Sequence, residues 1–235
     1  YYYSTKLLSR MAAAIGKTED ADKYRDLADR IAAAFHKAYY DDKTDTYPPG
    51  TQTANILPLF FGITPADKRA AVSASLVSDI INREYHLSTG FLGTGYLMPL
   101  LTSLGKQDIA YRLATQTSYP SWGYMVLNGA STIWERWNSD KMGPDMNSRN
   151  HFALGGVGQW FYEALGGINP DVTHPGFKRI ILCPQPAGDL IWMRATYPSP
   201  YGKIKVAWER VGQGLAMHVT IPANTSAELH LPTLG

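Results

Sequence analysis

The hydrophobic period of this 235-residue chain changes once, near Gly166, and that change limits the folds open to it. Before it, apolar residues recur every three or four positions. In Ala21 to Tyr39, the residues Tyr24, Leu27, Ala28, Ile31, Phe35, Ala38 and Tyr39 line one face, and Lys23, Arg25, Asp26, Asp29 and Arg30 the other. This spacing predicts an amphipathic helix. Thr18 stands just ahead of Glu19 and Asp20 and is expected as its N-cap, with the acids at the positive end of the dipole. A helical run from Tyr1 to Ile15 precedes it, closed by Gly16. Further helices are expected at Gln52 to Phe61, Pro65 to Ile81, Thr94 to Leu104, Gln107 to Thr117 and Asn150 to Leu165, with short ones around Trp122 and Ile133. Short Gly- or Pro-containing links pair the first six as antiparallel hairpins, a pattern that suggests an α/α toroid.

After Gly166 the period is two. Ile204, Val206 and Trp208 alternate with Lys203, Lys205 and Glu209; Leu215, Met217, Val219 and Ile221 follow the same rule, as do Ala227, Leu229 and Leu231. Turn clusters at Pro198 to Gly202, Gly212 to Gly214 and Pro222 to Ser226 separate the runs. A small antiparallel sheet or sandwich is expected, entered through a linker from Gly166 to Gly176. Tyr1 opens directly inside a helical pattern with no cap and no Met, which predicts the C-terminal portion of a longer protein.

Composition narrows the partners. Twenty-two Lys and Arg against twenty Asp and Glu leave a net charge of +2, without the basic surplus of phosphate-backbone binding. No nucleic acid partner is expected. The longest apolar stretches, such as Ala54 to Ile63, fall short of the ~20 residues of a membrane span, so no membrane partner is expected either. A lone Cys183 forbids an internal disulfide and leaves the compartment open. Aromatic residues reach 12%, and several cluster beside polar groups between Tyr119 and Trp160, a surface suited to the C–H faces of sugar rings.

The densest segment is Ser118 to Trp137. Glu135 lies between Trp134 and Trp137, whose indoles would exclude water on one side while leaving the other open to a ligand. That setting sharpens a carboxylate's basicity toward a trapped water. Arg136 is placed to pair with it, and the plainer reading is an ordinary ion pair at a helix end with the tryptophans as core. His151 follows a polar loop that includes Asp140 and Asp145, and is placed either to cap a helix or to donate to a sugar hydroxyl. His86 approaches a turn containing Gly90, Gly93 and Gly95, and close helix packing accounts for Gly155, Gly156 and Gly158. Neither glycine group fits a dinucleotide fingerprint, and no Walker motif, His-Glu-x-x-His pair or nucleophile elbow occurs. No cofactor and no metal are expected.

Three segments, TGFLGTGYLMPLL, YPSWGYMVLNGASTIWERW and MNSRNHFALGGVGQWFYEALGGI, occur in an order that resembles the catalytic domain of the α-L-rhamnosidases, glycoside hydrolase family seventy-eight. The resemblance runs from the YYYSTKLLSRMAAAIGKTEDADKY opening to the TIPANTSAELHLP ending. It implies a mainly α fold, part of an (α/α)6 barrel over residues 1–166, followed by a small antiparallel β-sandwich over 167–235. It implies inverting hydrolysis of terminal α-L-rhamnosides, with a rhamnose-containing oligosaccharide or glycoside as partner. By motif, Glu135 is similar to the general base and His151 to a substrate-contacting histidine. Trp122, Tyr124, Trp134 and Trp137 would line or support the sugar pocket, with His86 as a further binding candidate. The family's general acid, a glutamate in an acidic, Arg-containing motif, has no match in this sequence, and inversion needs two carboxyls. The absent acid keeps open a non-catalytic carbohydrate-binding fragment, and because the same helical scaffold hosts several activities, a related α/α-barrel glycosidase acting on another sugar stays open too. A barrel short of helices predicts an exposed wall at Tyr1, Tyr2, Tyr3, Leu7 and Leu8 and self-association through that face.

Overall fold

The computed structural model describes residues 1–143 and 148–232, in two compact units, Tyr1–Thr89 and Gly90–Gly235. In the first unit α1 (Tyr2–Ala14) packs on α2 (Thr18–Tyr39), and α3 (Gln52–Phe61) on α4 (Ala66–Asn82). Gly16, at φ +75°, closes α1: its N–H donates to the Ala13 carbonyl at 3.1 Å and that of Lys17 to Ala12 at 2.8 Å. Glycine adopts that left-handed conformation without a Cβ clash. The turn also carries Lys17 into position, where its carbonyl accepts the Ala21 N–H at 2.9 Å. Lys17 is therefore the N-cap residue and Thr18 the first helical residue, which corrects the expected cap. The same Gly-Lys closure, with Gly105 at φ +68°, joins α5 (Phe91–Ser103) to α6 (Gln107–Ala114).

In the α3–α4 hairpin, Ile56, Leu59, Val72, Leu76 and Ile80 are fully buried. The expected apolar wall forms only in part. Tyr1 and Tyr3 are exposed and border an apolar groove of about 580 Å³ with Phe35 and Phe61. Leu8 is exposed too, but Tyr2 is buried and Leu7 half-buried, because their helix face is turned inward.

In the second unit α5 is helical through Gly93 and Gly95, so these glycines are not a turn. The run expected as one helix from Asn150 to Leu165 is three pieces: a 3-10 turn at Phe152–Gly155, α8 (Gly156–Trp160) and a π turn at Phe161–Leu165. Of its glycines only Gly156 is held by packing, since a Cβ there would lie 2.8 Å from the Gly95 Cα; Gly155 and Gly158 face open space. Gly156→Ala is expected to destabilise by about 1–3 kcal/mol, because backbone rather than a flexible side chain must give way. Chemical denaturation checks this, with Gly158→Ala as the neutral control.

Two three-stranded sheets follow. One contains β1 (Ile168–Pro170), β2 (Arg179–Leu182) and β6 (Ser226–Leu229); the other is the meander of β3 (Trp192–Ser199), β4 (Gly202–Val211) and β5 (Gly214–Thr220). Ile168, Ile180 and Leu182 of the first meet Ala195, Ile204, Val206 and Trp208 of the second in one core. The expected linker thus holds β1. The last strand also differs from expectation: β6 runs parallel to β2, and its residues are exposed throughout, Leu229 at 45%. Its alternation reflects an edge strand with no layer over either face.

Asp171, after β1, organises the turn into β2. Its Oδ1 accepts the Thr173 backbone N–H at 2.8 Å and hydroxyl at 2.7 Å, and Arg179 lies 3.3 Å from Oδ2. Those donors, Thr173 first, hold its carboxyl down to about 2. A depressed carboxyl contributes stability that is fully present above its unfolded value near 4 and lost as pH falls through its folded value. Asp171→Asn is expected to lower stability at neutral pH, with the gap from wild type closing between about pH 4 and pH 2. Urea midpoints measured across that range test it, and a gap independent of pH contradicts it.

Candidate functional site

Ser121 starts the local architecture: its hydroxyl accepts the Tyr124 N–H at 3.0 Å and caps the short α7 (Trp122–Leu127). Beyond it the chain is irregular rather than helical around Ile133, where it hydrogen-bonds to the segment leading to α8. The His151 N–H donates to the Ile133 carbonyl at 2.8 Å, that of Glu135 to Ser148 at 3.2 Å, and the Thr132 hydroxyl bonds the Arg149 carbonyl. This pairing holds Glu135 and His151 on neighbouring backbone segments. Trp134 turns inward onto Met125 and Leu154. The Trp122 indole is also buried, donating to the Leu154 carbonyl at 2.7 Å and meeting the Trp137 ring edge-on at 5.3 Å. Trp122 and Trp134 are therefore the bracing behind the site.

On this bracing lies a pocket of about 250 Å³ lined by Gly90, Phe91, Tyr119, Glu135, Arg136, Trp137, Asn138 and Leu154. Glu135 is half-buried, and among the described residues it is the one carboxylate on the wall. Among them, too, no hydrogen bond or ion pair engages its side chain, so the expected pairing with Arg136 is not formed. His151 is not among the residues lining that pocket; its ring stacks on Phe91 at 5.0 Å and on Phe152 at 5.3 Å. Its Nδ1 accepts the Ala153 N–H at 3.2 Å, so the neutral ring carries its proton on Nε2 and presents a donor there.

Tyr124, Glu163 and His86 are not among the lining residues either. The Tyr124 phenol donates to Asp140 at 2.7 Å, and that bond raises its pKa. His86 belongs to the first compact unit, its Nδ1 2.8 Å from the Arg83 carbonyl. Asp145 lies outside the described residues. Glu163 accepts from Gln159 at 2.8 Å and borders a different cavity, with Trp160 and Cys183. Among the described residues no three His, Cys, Asp or Glu side chains gather as metal ligands, and no helix is long and apolar enough to cross a membrane. Phe91 and Tyr119 are wall residues that pattern reading passed over. Each sits at the edge of a motif, where an aromatic beside glycine or proline was the available signal.

Comparison with known proteins agrees with this architecture. The chain is 40% identical to an α-L-rhamnosidase of Streptomyces avermitilis, across 99% of the chain and 22% of that protein. It is 37% identical to one of Formosa agariphila, across 99% and 26%. Among solved structures it superimposes on the α-L-rhamnosidase from Dictyoglumus thermophilum with a TM-score of 0.92 at 37% identity, covering 100% of the chain and 26% of that one. On the Streptomyces avermitilis α-L-rhamnosidase complexed with L-rhamnose the TM-score is 0.91 at 39% identity, covering 97% and 22%. The chain thus spans about a quarter of the length of these relatives. Residues 167–235 match the bacterial α-L-rhamnosidase C-terminal domain. Residues 1–165 match the bacterial α-L-rhamnosidase 6 hairpin glycosidase domain, and with helical hairpins leading into a β domain in that order, the chain belongs to the bacterial α-L-rhamnosidase family.

Proposed function

We propose that this chain is part of an inverting glycoside hydrolase that releases terminal α-L-rhamnose, with Glu135 as the general base. The observation that carries the reading is the Glu135 carboxylate, half-buried beside Trp137 and Phe91 and, among the described residues, bound by no cation. Such a carboxylate can accept a proton from a water that attacks the anomeric carbon, while the aromatic wall excludes competing solvent. The relative solved with L-rhamnose supports the sugar assigned. His151, with its Nε2 proton, is the donor to a sugar hydroxyl, and the tryptophans behind the pocket fix its walls. The helical portion extends to Gly166 and the β portion from Gly167.

Inversion also requires an acid about 6.5–9.5 Å from the base, to protonate the leaving oxygen. The pocket wall offers no second carboxylate among the described residues, and we assign that role to a residue outside 1–235. The isolated chain is accordingly expected to be silent toward p-nitrophenyl α-L-rhamnopyranoside and to self-associate through the groove at Tyr1 and Tyr3. A longer protein containing it is expected to cleave the rhamnoside and spare the corresponding glucoside. Light scattering and the two assays test these expectations. Turnover by a monomeric isolated chain would overturn both, and preference for the glucoside would overturn the sugar assignment.

A further inference from the structure

The outer face of the β3-β4-β5 sheet holds a concavity of about 310 Å³ that the reaction above does not use. Apart from Trp208, which is buried beneath, its lining residues form two adjacent rows across the strands. Trp192, Glu209 and Ala216 occupy one row, and Arg194, Ala207 and His218 the next. Two rows and three strands mark out about 7 Å by about 10 Å, the footprint of one pyranose ring with its substituents. The two alanines leave the depression that larger side chains would fill. Trp192 is 55% exposed, and the Arg194 guanidinium braces it at 5.6 Å from the ring centroid.

We propose that this face is a second carbohydrate-binding site, taking one neutral pyranose ring, remote in sequence from Glu135 and independent of the hydrolytic reading. The indole and the alanine methyls offer an apolar bed for the ring's C–H face. Around it stand a donor, an acceptor and a group able to act as either: the Arg194 guanidinium, the Glu209 carboxylate and the His218 imidazole. Among the described residues neither Glu209 nor His218 makes a side-chain hydrogen bond or ion pair, so both are uncommitted. One positive and one negative charge balance across the depression. An ionic ligand would meet one of them unfavourably, whereas sugar hydroxyls both donate and accept and satisfy all three.

The test is a titration of the whole chain with methyl α-L-rhamnoside, methyl β-D-glucoside and D-galacturonate, followed at the Trp192 indole N–H by NMR and by calorimetry. At least one neutral glycoside is expected to give a saturable Trp192 shift. Trp192→Ala and Ala216→Leu, the second of which fills the depression without removing the indole, should each weaken calorimetric binding at this site by at least about tenfold. Glu135→Gln should leave the Trp192 shift intact, and the Trp137 indole reports the other pocket separately. The proposal is overturned if no neutral glycoside moves the Trp192 signal saturably, if only galacturonate does, or if folded Ala216→Leu binds as wild type.

Discussion

On the function proposed above, replacing Glu135 by glutamine in a longer protein containing this chain is expected to lower turnover of a rhamnoside by roughly 10² to 10⁴ while leaving its KM nearly unchanged. Glutamine keeps the shape of the side chain and its contacts on the pocket wall beside Trp137 and Asn138. It cannot accept the proton of an attacking water, so the loss falls on the chemical step and not on binding. The effect should be large because, among the described residues, no other carboxylate on that wall could take over. Steady-state kinetics on p-nitrophenyl α-L-rhamnopyranoside read the result directly. Near-normal turnover would remove Glu135 from the mechanism, and a rise in KM with unchanged kcat would make it a binding residue instead.

The second large effect is on stability. Trp208 is 2% exposed at the centre of the β core, and its indole N–H donates at 2.7 Å to the carbonyl of Leu165, the last residue of the π turn. Truncation to alanine removes the largest side chain of that core and strands the carbonyl. A loss of about 3–5 kcal/mol is expected, as for other buried aromatics. Trp208→Phe retains most of the volume and removes the donor, so it should cost about 1–3 kcal/mol, the penalty of an unsatisfied buried acceptor. Denaturation followed by circular dichroism distinguishes the two. If both variants lose less than about 1 kcal/mol, the bond does not tie the β domain to the helical segment preceding it.

Local patterns determined much of this molecule. Apolar spacing located α3, α4 and the C-terminal end of α2 to within a residue, and the Gly-Lys turns fixed where α1 and α5 end, because helix periodicity and left-handed caps depend on neighbours only a few positions away. Strict alternation placed Ile204, Val206 and Trp208 in the core for the same reason. The motif order also carried the family, and with it the expectation for Glu135.

What the sequence could not disclose depends on segments distant in the chain. The non-helical course of Ile133 to Glu135 arises from hydrogen bonds to Ser148 and His151, which override a short local helical tendency. The need for glycine at 156, and not at 155 or 158, comes from the approach of Gly95 on another helix. The parallel course and full exposure of β6 depend on its docking at the edge of β2. Only the tertiary structure separates the aromatics that brace the pocket, Trp122 and Trp134, from Trp137, Phe91 and Tyr119, which line it. Adjacent indoles in one motif have equivalent composition, and which of them faces a cavity is settled by the direction each side chain takes when remote backbone packs against it.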